Sequence, residues 1–530
     1  MKISYYYLGF ICLFIFTGCT PKTVEPRAIK IVSTTVKPKG KAPVLKYFHK
    51  TDKSIVGKSA YHPLHLPVDA LAARLFIIDH AKTSVDVQYY IYDDDTVGKV
   101  FSEHLLLAAQ RGVRVRMLLD DLSTSGKDQE IQKLALHPNV ELRLFNPNRL
   151  RNSFRNLALL FNVNSLGKRM HNKSLIVDGS VAIIGGRNIG DVYFAATDET
   201  LFLDYDIISI GKVVPEISKS FDIYWNSEQS IPSSNVLEKS HYEVVDNSMY
   251  DGIKNELNTF MTTAFGMALQ HSEFKQKINT NKLLFTVADK TNFYYDDPSK
   301  VARHRDDNAL HITQQVSEDL KHVDTHLTII SPYFIPSDSM MKRMSELREK
   351  GAKITIVTNS LASTDVSPVY AGYQGYIKEL LAMGVNLYEL KPYSLHTLAK
   401  AKGKSWKKIP TLSLHTKMML LDNDRLVVGS ANIDPRSEKL NTELLMMITS
   451  KTLTKSQQKV IDTVINLKYM YKLSWEKHPT THESDVPKYG PVWRTLEEGK
   501  VKKYYERPEV GFWKKFGTDI LSLLPIKGYL

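Results

Sequence analysis

The sequence predicts an α/β protein of two pseudo-symmetric halves. Each half is expected to be a mostly parallel sheet flanked by helices, with the active site at their interface. Three observations predict it. First, one pattern, H-x-K-x4-D-x6-G-[GS]-x-N, occurs twice. The first copy holds His171, Lys173, Asp178, Gly185, Gly186 and Asn188; the second holds His415, Lys417, Asp422, Gly429, Ser430 and Asn432. Second, apolar runs with strand character alternate with helical patterns in both halves, which implies parallel strands joined by crossover helices. Third, 530 residues with 43% hydrophobic content can bury a large core and support about two domains.

Residues 1–18 read as a short secretory signal. Lys2 precedes the apolar run Leu8–Phe16, which is too brief for a typical membrane span. Gly18-Cys19 resembles a bacterial lipobox, implying cleavage before Cys19 and lipidation of its thiol. The expected location is the bacterial cell envelope, lipid-anchored and facing the periplasm. Thr20 after the lipidated Cys, rather than the retention signal Asp, resembles the outer-membrane pattern of a Gram-negative cell. Cys12 would be lost with the signal, so Cys19 has no partner and no intramolecular disulfide is expected. Residues 19–47, rich in Thr, Pro and Lys, read as a basic tether.

The first half covers residues 48–227, with a helix over Asp69–His80, a strand from Val85, a helix over Phe101–Arg111 and a strand from Val113. Residues 228–300 read as an insertion or linker, and a helical pattern around Ile253 to Leu269 is a candidate cover for the cleft. The second half covers 301–475. It repeats the order: helix near Gln314–Lys321, strand Leu327–Ile330, helix Met340–Lys350, strand Lys353–Val357, helix Tyr373–Met383, strand from Val385. Residues 476–530 form a C-terminal extension. There Phe512, Phe516, Ile520 and Leu524 recur every four residues beside Trp513, Lys514 and Lys515. An interfacial helix lying on a membrane and a packed terminal helix of the core both fit this pattern.

The repeated motif carries the chemistry. The apolar runs after Lys173 and Lys417 look like buried strands, and residues i and i+2 of a strand share a face. His171 and Lys173 therefore point the same way, as do His415 and Lys417. Asp178-Gly179 and Asp422-Asn423 read as turns. A second apolar run returns to the small pair, then to Asn188 or Asn432. Each half thus offers an imidazole, an ammonium and an amide to a common point. Lys and Asn hold phosphate oxygens, and imidazole serves as nucleophile or proton carrier, so a phosphodiester suits the trio. A metal site is the rival. A lysine ammonium is a poor neighbour for a dication, and no carboxylate cluster lies inside either motif, so neither metal nor cofactor is expected.

The twin motif resembles that of the phospholipase D superfamily. Val-Gln-Tyr-Tyr-Ile (87–91), Leu-Leu-Asp-Asp (118–121), Phe-Asn-Pro (145–147), Asp-Asp-Pro-Ser-Lys (296–300), Ser-Pro-Tyr-Phe-Ile-Pro (331–336), Leu-Tyr-Glu-Leu-Lys-Pro (387–392) and Leu-Leu-Pro-Ile (523–526) narrow the resemblance to bacterial cardiolipin-synthase-like members. It covers roughly residue 60 to the end. It implies phosphatidyl transfer through a covalent phosphohistidine, with His171 as nucleophile and His415 as acid/base. Lys173, Lys417, Asn188 and Asn432 would hold the phosphate. The signature includes Asp178 and Asp422 in the catalytic set, although their turn position suggests a structural part. Family members also place an acid after each motif to accept a proton from the motif histidine; Asp204 and Glu443 occupy those places. The spacing is unequal, which leaves Asp206 and Asp191 as rivals to Asp204. Gly186 stands where the other copy has Ser430, so any hydroxyl contact is missing there.

The resemblance implies phospholipid substrates, phosphatidylglycerol first and phosphatidylethanolamine as a second lipid, met at a membrane surface. The net charge of +13 suits anionic lipid or nucleic acid equally. Export and the lipobox favour lipid, so no nucleic acid is expected, and no protein partner is identified. Cardiolipin synthesis is the leading expectation. The alternatives are hydrolysis to phosphatidic acid, an exported nuclease of the same superfamily, and a catalytically dead scaffold, which two complete motifs argue against.

Overall fold

A computed structural model describes residues 31–36, 40, 42–48, 55–124, 127–148, 167–237, 247–305, 307, 311–395, 410–479 and 487–523. The signal segment and Cys19 lie outside the described residues. In chain order the strands are β1 (Ser59–Leu64), β2 (Ser84–Tyr89), β3 (Arg114–Asp120), β4 (Val140–Phe145), β5 (Ser174–Val177), β6 (Val181–Gly185), β7 (Thr200–Leu203), β8 (Asp206–Gly211), β9 (Ser230–Pro232), β10 (Thr286–Val287) and β11 (Lys290–Tyr295). They continue as β12 (His326–Ile330), β13 (Lys353–Asn359), β14 (Asn386–Leu390), β15 (Thr411–Leu414), β16 (Met418–Leu421), β17 (Arg425–Gly429), β18 (Leu444–Thr449), β19 (Met470–Lys477), β20 (Tyr489–Glu497) and β21 (Lys500–Tyr504).

Two large sheets result. One runs β10-β1-β8-β6-β5-β2-β3-β4-β9, the other β11-β18-β17-β16-β12-β13-β14-β19-β20-β21. The α/β class and the two equivalent halves are as expected. The expected mostly parallel pairing is corrected. Within the two sheets, only β2-β3-β4 and β12-β13-β14 pair in parallel. Each motif folds as a tight hairpin, β5-β6 or β16-β17, and a turn this short can join only antiparallel neighbours. Each hairpin then aligns antiparallel to the central strand of its half.

Alternation along the hairpin strands builds three hydrophobic layers. Val181 and Ile183 face an outer core shared with helices Pro67–Asp79 and Thr96–Gln110. Ala182 and Ile184 face a central core, where they join Met418, Leu420, Leu426 and Val428 of the second sheet. Leu421 and Val427 face the opposite outer core with helices Asp338–Glu349 and Ser367–Tyr373. The two sheets therefore meet through strands buried on both faces, which is why the motif strands read as continuous apolar runs.

Three boundaries differ from expectation. The insertion helices Asn247–Met261, Ala264–Gln270 and Glu273–Asn279 do not cover the cleft. Ile253, Leu257, Leu269, Phe274 and Ile278 extend the first outer core, and Asp69 accepts the Phe274 N–H at 3.0 Å. Part of the expected tether is built into the first half: Thr35 donates its N–H to Asp222 at 3.0 Å, Arg143 reaches the Ile31 carbonyl at 2.8 Å, and Ala42 and Val44 are buried. The C-terminal extension begins inside β19, and β20 and β21 continue the second sheet. Helix Phe512–Leu523 packs on helix Ser367–Tyr373. Among the described residues, no helix is long and apolar enough to cross a membrane.

Candidate active site

Each motif hairpin turns on two residues with positive φ, Asp178 (51°) and Gly179 (55°) in the first, Asp422 (49°) and Asn423 (61°) in the second. Mirror-image turns need such residues, which Asp, Gly and Asn supply at low steric cost. The Asp178 carboxylate accepts the N–H groups of Thr83 and Ser84 at 2.7 and 3.0 Å. Asp422 accepts those of Thr325 and His326 at 2.7 and 3.0 Å. These carboxylates pin the hairpin to the start of the adjacent strand. They sit at the opposite end of β5 and β16 from the histidines, roughly 20 Å away along the strand. Both carboxylates, expected in the catalytic set, here hold backbone N–H groups.

At the other end the predicted trio assembles. His171, Lys173, Asn188, His415 and Lys417 are all buried. Lys173 donates Nζ–H to the His171 carbonyl at 2.7 Å, and Lys417 does the same to His415 at 2.6 Å. This contact follows from the i, i+2 spacing. Asn188 accepts the Ile91 N–H at 3.1 Å and donates to the Tyr193 hydroxyl at 2.8 Å. The Asn432 amide oxygen is buried and has no hydrogen-bond partner among the described residues. It is an acceptor, and would suit a hydroxyl or water in the cleft.

Asp204 and Glu443 each contact a motif histidine, but the pairs cross between halves. Glu443, in the second half, accepts from His171 Nδ1 with both oxygens at 2.9 Å. Asp204, in the first half, accepts from His415 Nδ1 at 2.5 Å. The backbone enforces the exchange. His171 N–H donates to the Thr442 carbonyl at 2.9 Å, next to Glu443. Strand β7 pairs in parallel with β15, which brings Leu203 beside Leu414 and Asp204 beside His415. The rivals are occupied elsewhere: Asp206 pairs with Arg74 and Arg187 at 2.9 and 3.0 Å, and Asp191 accepts the Val97 N–H at 2.8 Å.

Burial pulls the His171 imidazole down to about 4, against the opposing pull of Glu443. Burial lowers His415 as well, helped by Lys417. Burial works to raise the Glu443 carboxyl, but His171 and its hydrogen bond outweigh it and bring the group down to about 2. Asp204 is likewise lowered, because His415 outweighs its burial. Burial brings Lys173 to about 7 and Lys417 to about 8. With these neighbours alone, both imidazoles are therefore neutral beside ionised carboxylates. A carboxylate only accepts, so each Nδ1 carries the proton and each Nε2 presents its lone pair. An entering phosphodiester anion reverses the balance: it restores charge to the lysines and favours imidazolium.

Several contributors escaped the sequence reading. Tyr90 meets His171 edge-on, with ring centroids 5.0 Å apart. Phe202 stacks on His415 at 5.2 Å, and Tyr193 meets it edge-on at 5.2 Å. Asp120 accepts the Met170 N–H at 2.8 Å and Asp296 accepts the Glu443 N–H at 2.9 Å, so each fixes backbone beside a catalytic pair. Tyr90, Asp120 and Asp296 lie in the short stretches that carry the family resemblance, which was the available signal. Nothing in the spacing marked Phe202.

Two buried histidine–carboxylate pairs, two lysines and an asparagine set at the interface of duplicated α/β halves define a phosphodiester-transferring enzyme of the phospholipase D type. The comparisons narrow this. The family described as Cardiolipin synthase, PLD-like domain, matches residues 75–225 and 316–465, and the chain belongs to it. Cardiolipin synthase C of Escherichia coli is 36% identical over 480 residues, 89% of this chain and 97% of that protein. An uncharacterized protein of Helicobacter pylori is 31% identical over 540 residues, 99% of each chain. The crystal structure of phosphatidylserine synthase from Haemophilus influenzae shares the fold, with a TM-score of 0.53, 11% identity, and coverage of 79% of this chain and 90% of that one. The chain is a phosphatidyltransferase of this superfamily.

Proposed function

We infer that this enzyme makes cardiolipin by joining two membrane phospholipids, with phosphatidylglycerol as a substrate and phosphatidylethanolamine as the second lipid to be tested. The reading is carried by the two complete histidine–carboxylate pairs buried at the contact of the two halves: one ring can attack while the other handles the proton. His171 Nε2 bonds to phosphorus, and the bond from phosphorus to the headgroup oxygen breaks. The imidazolium of His415 gives its proton to that oxygen, so the headgroup leaves as a neutral alcohol. The hydroxyl of a second phosphatidylglycerol headgroup then enters. Its proton passes to His415, its oxygen bonds to phosphorus, and the bond from phosphorus to His171 breaks. Lys173, Lys417, Asn188 and Asn432 hold the phosphoryl oxygens in both steps. Mass spectrometry of vesicle lipids after incubation, with and without phosphatidylethanolamine, tests this. Cardiolipin plus released headgroup alcohol is expected; phosphatidic acid as the sole product would overturn transfer in favour of hydrolysis.

The same reading puts the enzyme on the periplasmic side of the envelope, held by a lipid on Cys19 and sorted to the outer membrane in a Gram-negative cell. Gly18-Cys19-Thr20 supports it. Wild-type protein should take up labelled palmitate and resist salt washing, and Cys19→Ser should do neither. Absence of label on the wild type rejects the anchor; label confined to the inner membrane rejects only the sorting.

A further inference from the structure

Helix Phe512–Leu523 is packed with its polarity reversed. Phe512, Trp513, Phe516, Ile520 and Leu523 fall within an arc of about 100° on a helical wheel. All five are exposed, Trp513 by 78% and Leu523 by 85%. Phe512 and Phe516 stack at 6.0 Å, and Trp513 sits edge-on to both, so the arc is one continuous aromatic ridge. The opposite side holds the helix to the protein. Thr518 is its buried residue and Lys514 Nζ donates to the Thr364 carbonyl at 3.4 Å, while Asp519, at the edge of the apolar arc, pairs with Arg507 at 2.6 Å. An ordinary surface helix faces the other way.

The place of this helix matters as much as its face. Thr364 adjoins Asp365, whose carboxylate accepts the Tyr333 hydroxyl at 2.8 Å. Asp365 is also close enough to act electrostatically on Lys417 and on Lys514. Asp365 thus lies next to the residue that receives the anchoring lysine and within electrostatic reach of Lys417. The chain is basic overall; within the ridge segment Lys514 turns to Thr364 and Lys515 pairs with Glu506 at 2.9 Å. An exposed aromatic and aliphatic face on a basic chain matches the boundary between acyl chains and anionic headgroups.

We propose that the face formed by Phe512, Trp513, Phe516, Ile520 and Leu523 docks into the surface of an anionic phospholipid bilayer and so sets the mouth of the cleft against the lipid headgroups. The proposal rests on the lipid-joining reading above, and its test separates the two. The full chain carrying Cys19→Ser, which has no acyl anchor, is compared with the same chain bearing Phe512→Ser, Trp513→Ser and Phe516→Ser. Flotation with phosphatidylglycerol/phosphatidylcholine vesicles measures binding. Turnover is measured on those vesicles and on short-chain phosphatidylglycerol dispersed as monomers. The triple substitution should cut vesicle binding and vesicle turnover by about tenfold or more, and leave monomer turnover unchanged. Unchanged vesicle binding overturns the proposal, as does an equal loss on monomers, which would mark the helix as structural. A lipid-free dimer of the parent that the triple substitution dissociates also overturns it, since a second copy would then cover the ridge. If neither chain turns over any lipid, the lipid-joining reading fails, while flotation still decides the docking.

Discussion

Around His171 the protein uses a glutamate and a serine; around His415 it uses an aspartate and a glycine. Ser430 donates its hydroxyl to the Glu443 carboxylate, which also holds His171. At the matching position in the other half, a Cβ added to Gly186 would sit 2.2 Å from an Asp204 oxygen. Aspartate is one methylene shorter than glutamate, and its carboxylate lies where the serine side chain would be. The difference between Gly186 and Ser430, which looks like a lost contact in the sequence, is one side of a paired exchange. Acid length and the neighbouring residue change together, and the histidine geometry is kept. The comparison teaches that the two halves are equivalent in what they present to substrate and different in how they hold it.

The largest effect should come from removing the presented groups. His171→Ala and His415→Ala should each lower kcat by about 10³-fold or more, and the double variant should be little worse than either, because both rings act in one cycle. Near-normal turnover in either single variant would break the equivalence. Mass spectrometry of the intact protein should find a phosphatidyl adduct that lasts longest in the variant lacking the proton carrier. A step down, Glu443→Gln and Asp204→Asn should each cost about 10²–10⁴-fold in kcat with little change in KM. By NMR, Glu443→Gln should move the ring signals of His171 far more than those of His415. The reverse pattern would refute the crossed pairing.

The holding groups offer the sharper contrast. Gly186→Ser should damage activity about as much as Asp204→Asn, since the new side chain must displace the carboxylate. Ser430→Gly removes one hydrogen bond to a charged group, worth about 1.5–3 kcal/mol, and should cost only about 10–100-fold. Equal losses in the two variants would show that size does not couple acid to neighbour. The smallest effect is on stability. His171 is held at about 4 in the fold against its usual 6.5, so between those values the unfolded chain binds the extra proton. Its contribution is complete above about 6.5 and lost as pH falls toward 4. Glu443, held at about 2 against 4.5, adds a second loss only below about pH 4.5. Melting temperature should therefore drop more for wild type than for His171→Ala between pH 6.5 and 5, by on the order of 1–3 °C. Identical pH curves would refute a neutral His171.

Local chemistry was legible in the sequence, and long-range pairing was not. The i, i+2 spacing of His and Lys, the Asp-Gly and Asp-Asn turns and the apolar strand runs each reside in a few consecutive residues. The helices at Pro67–Asp79 and Asp338–Glu349 were readable for the same reason. The antiparallel arrangement of most strand pairs depends on where each motif hairpin inserts, and that is decided between segments far apart in the chain. The crossing of Asp204 and Glu443 depends on β7 meeting β15, two four-residue strands on different halves. The insertion pattern at Ile253 to Leu269 announced an apolar helix face correctly, but periodicity carries no address, and the face went to the outer core.

The crossed carboxylates also bear on when the protein becomes reactive. A half that has folded but not yet docked owns a histidine without its orienting acid, and an acid without its histidine. Synthesis delivers His171 well before Glu443, so the first half leaves the ribosome unarmed. His171 meets Glu443 and His415 meets Asp204 only where the two halves are in contact, so both pairs depend on the same interface. Any opening of the interface disarms both together. Contact between the halves is thus the condition for either pair to exist.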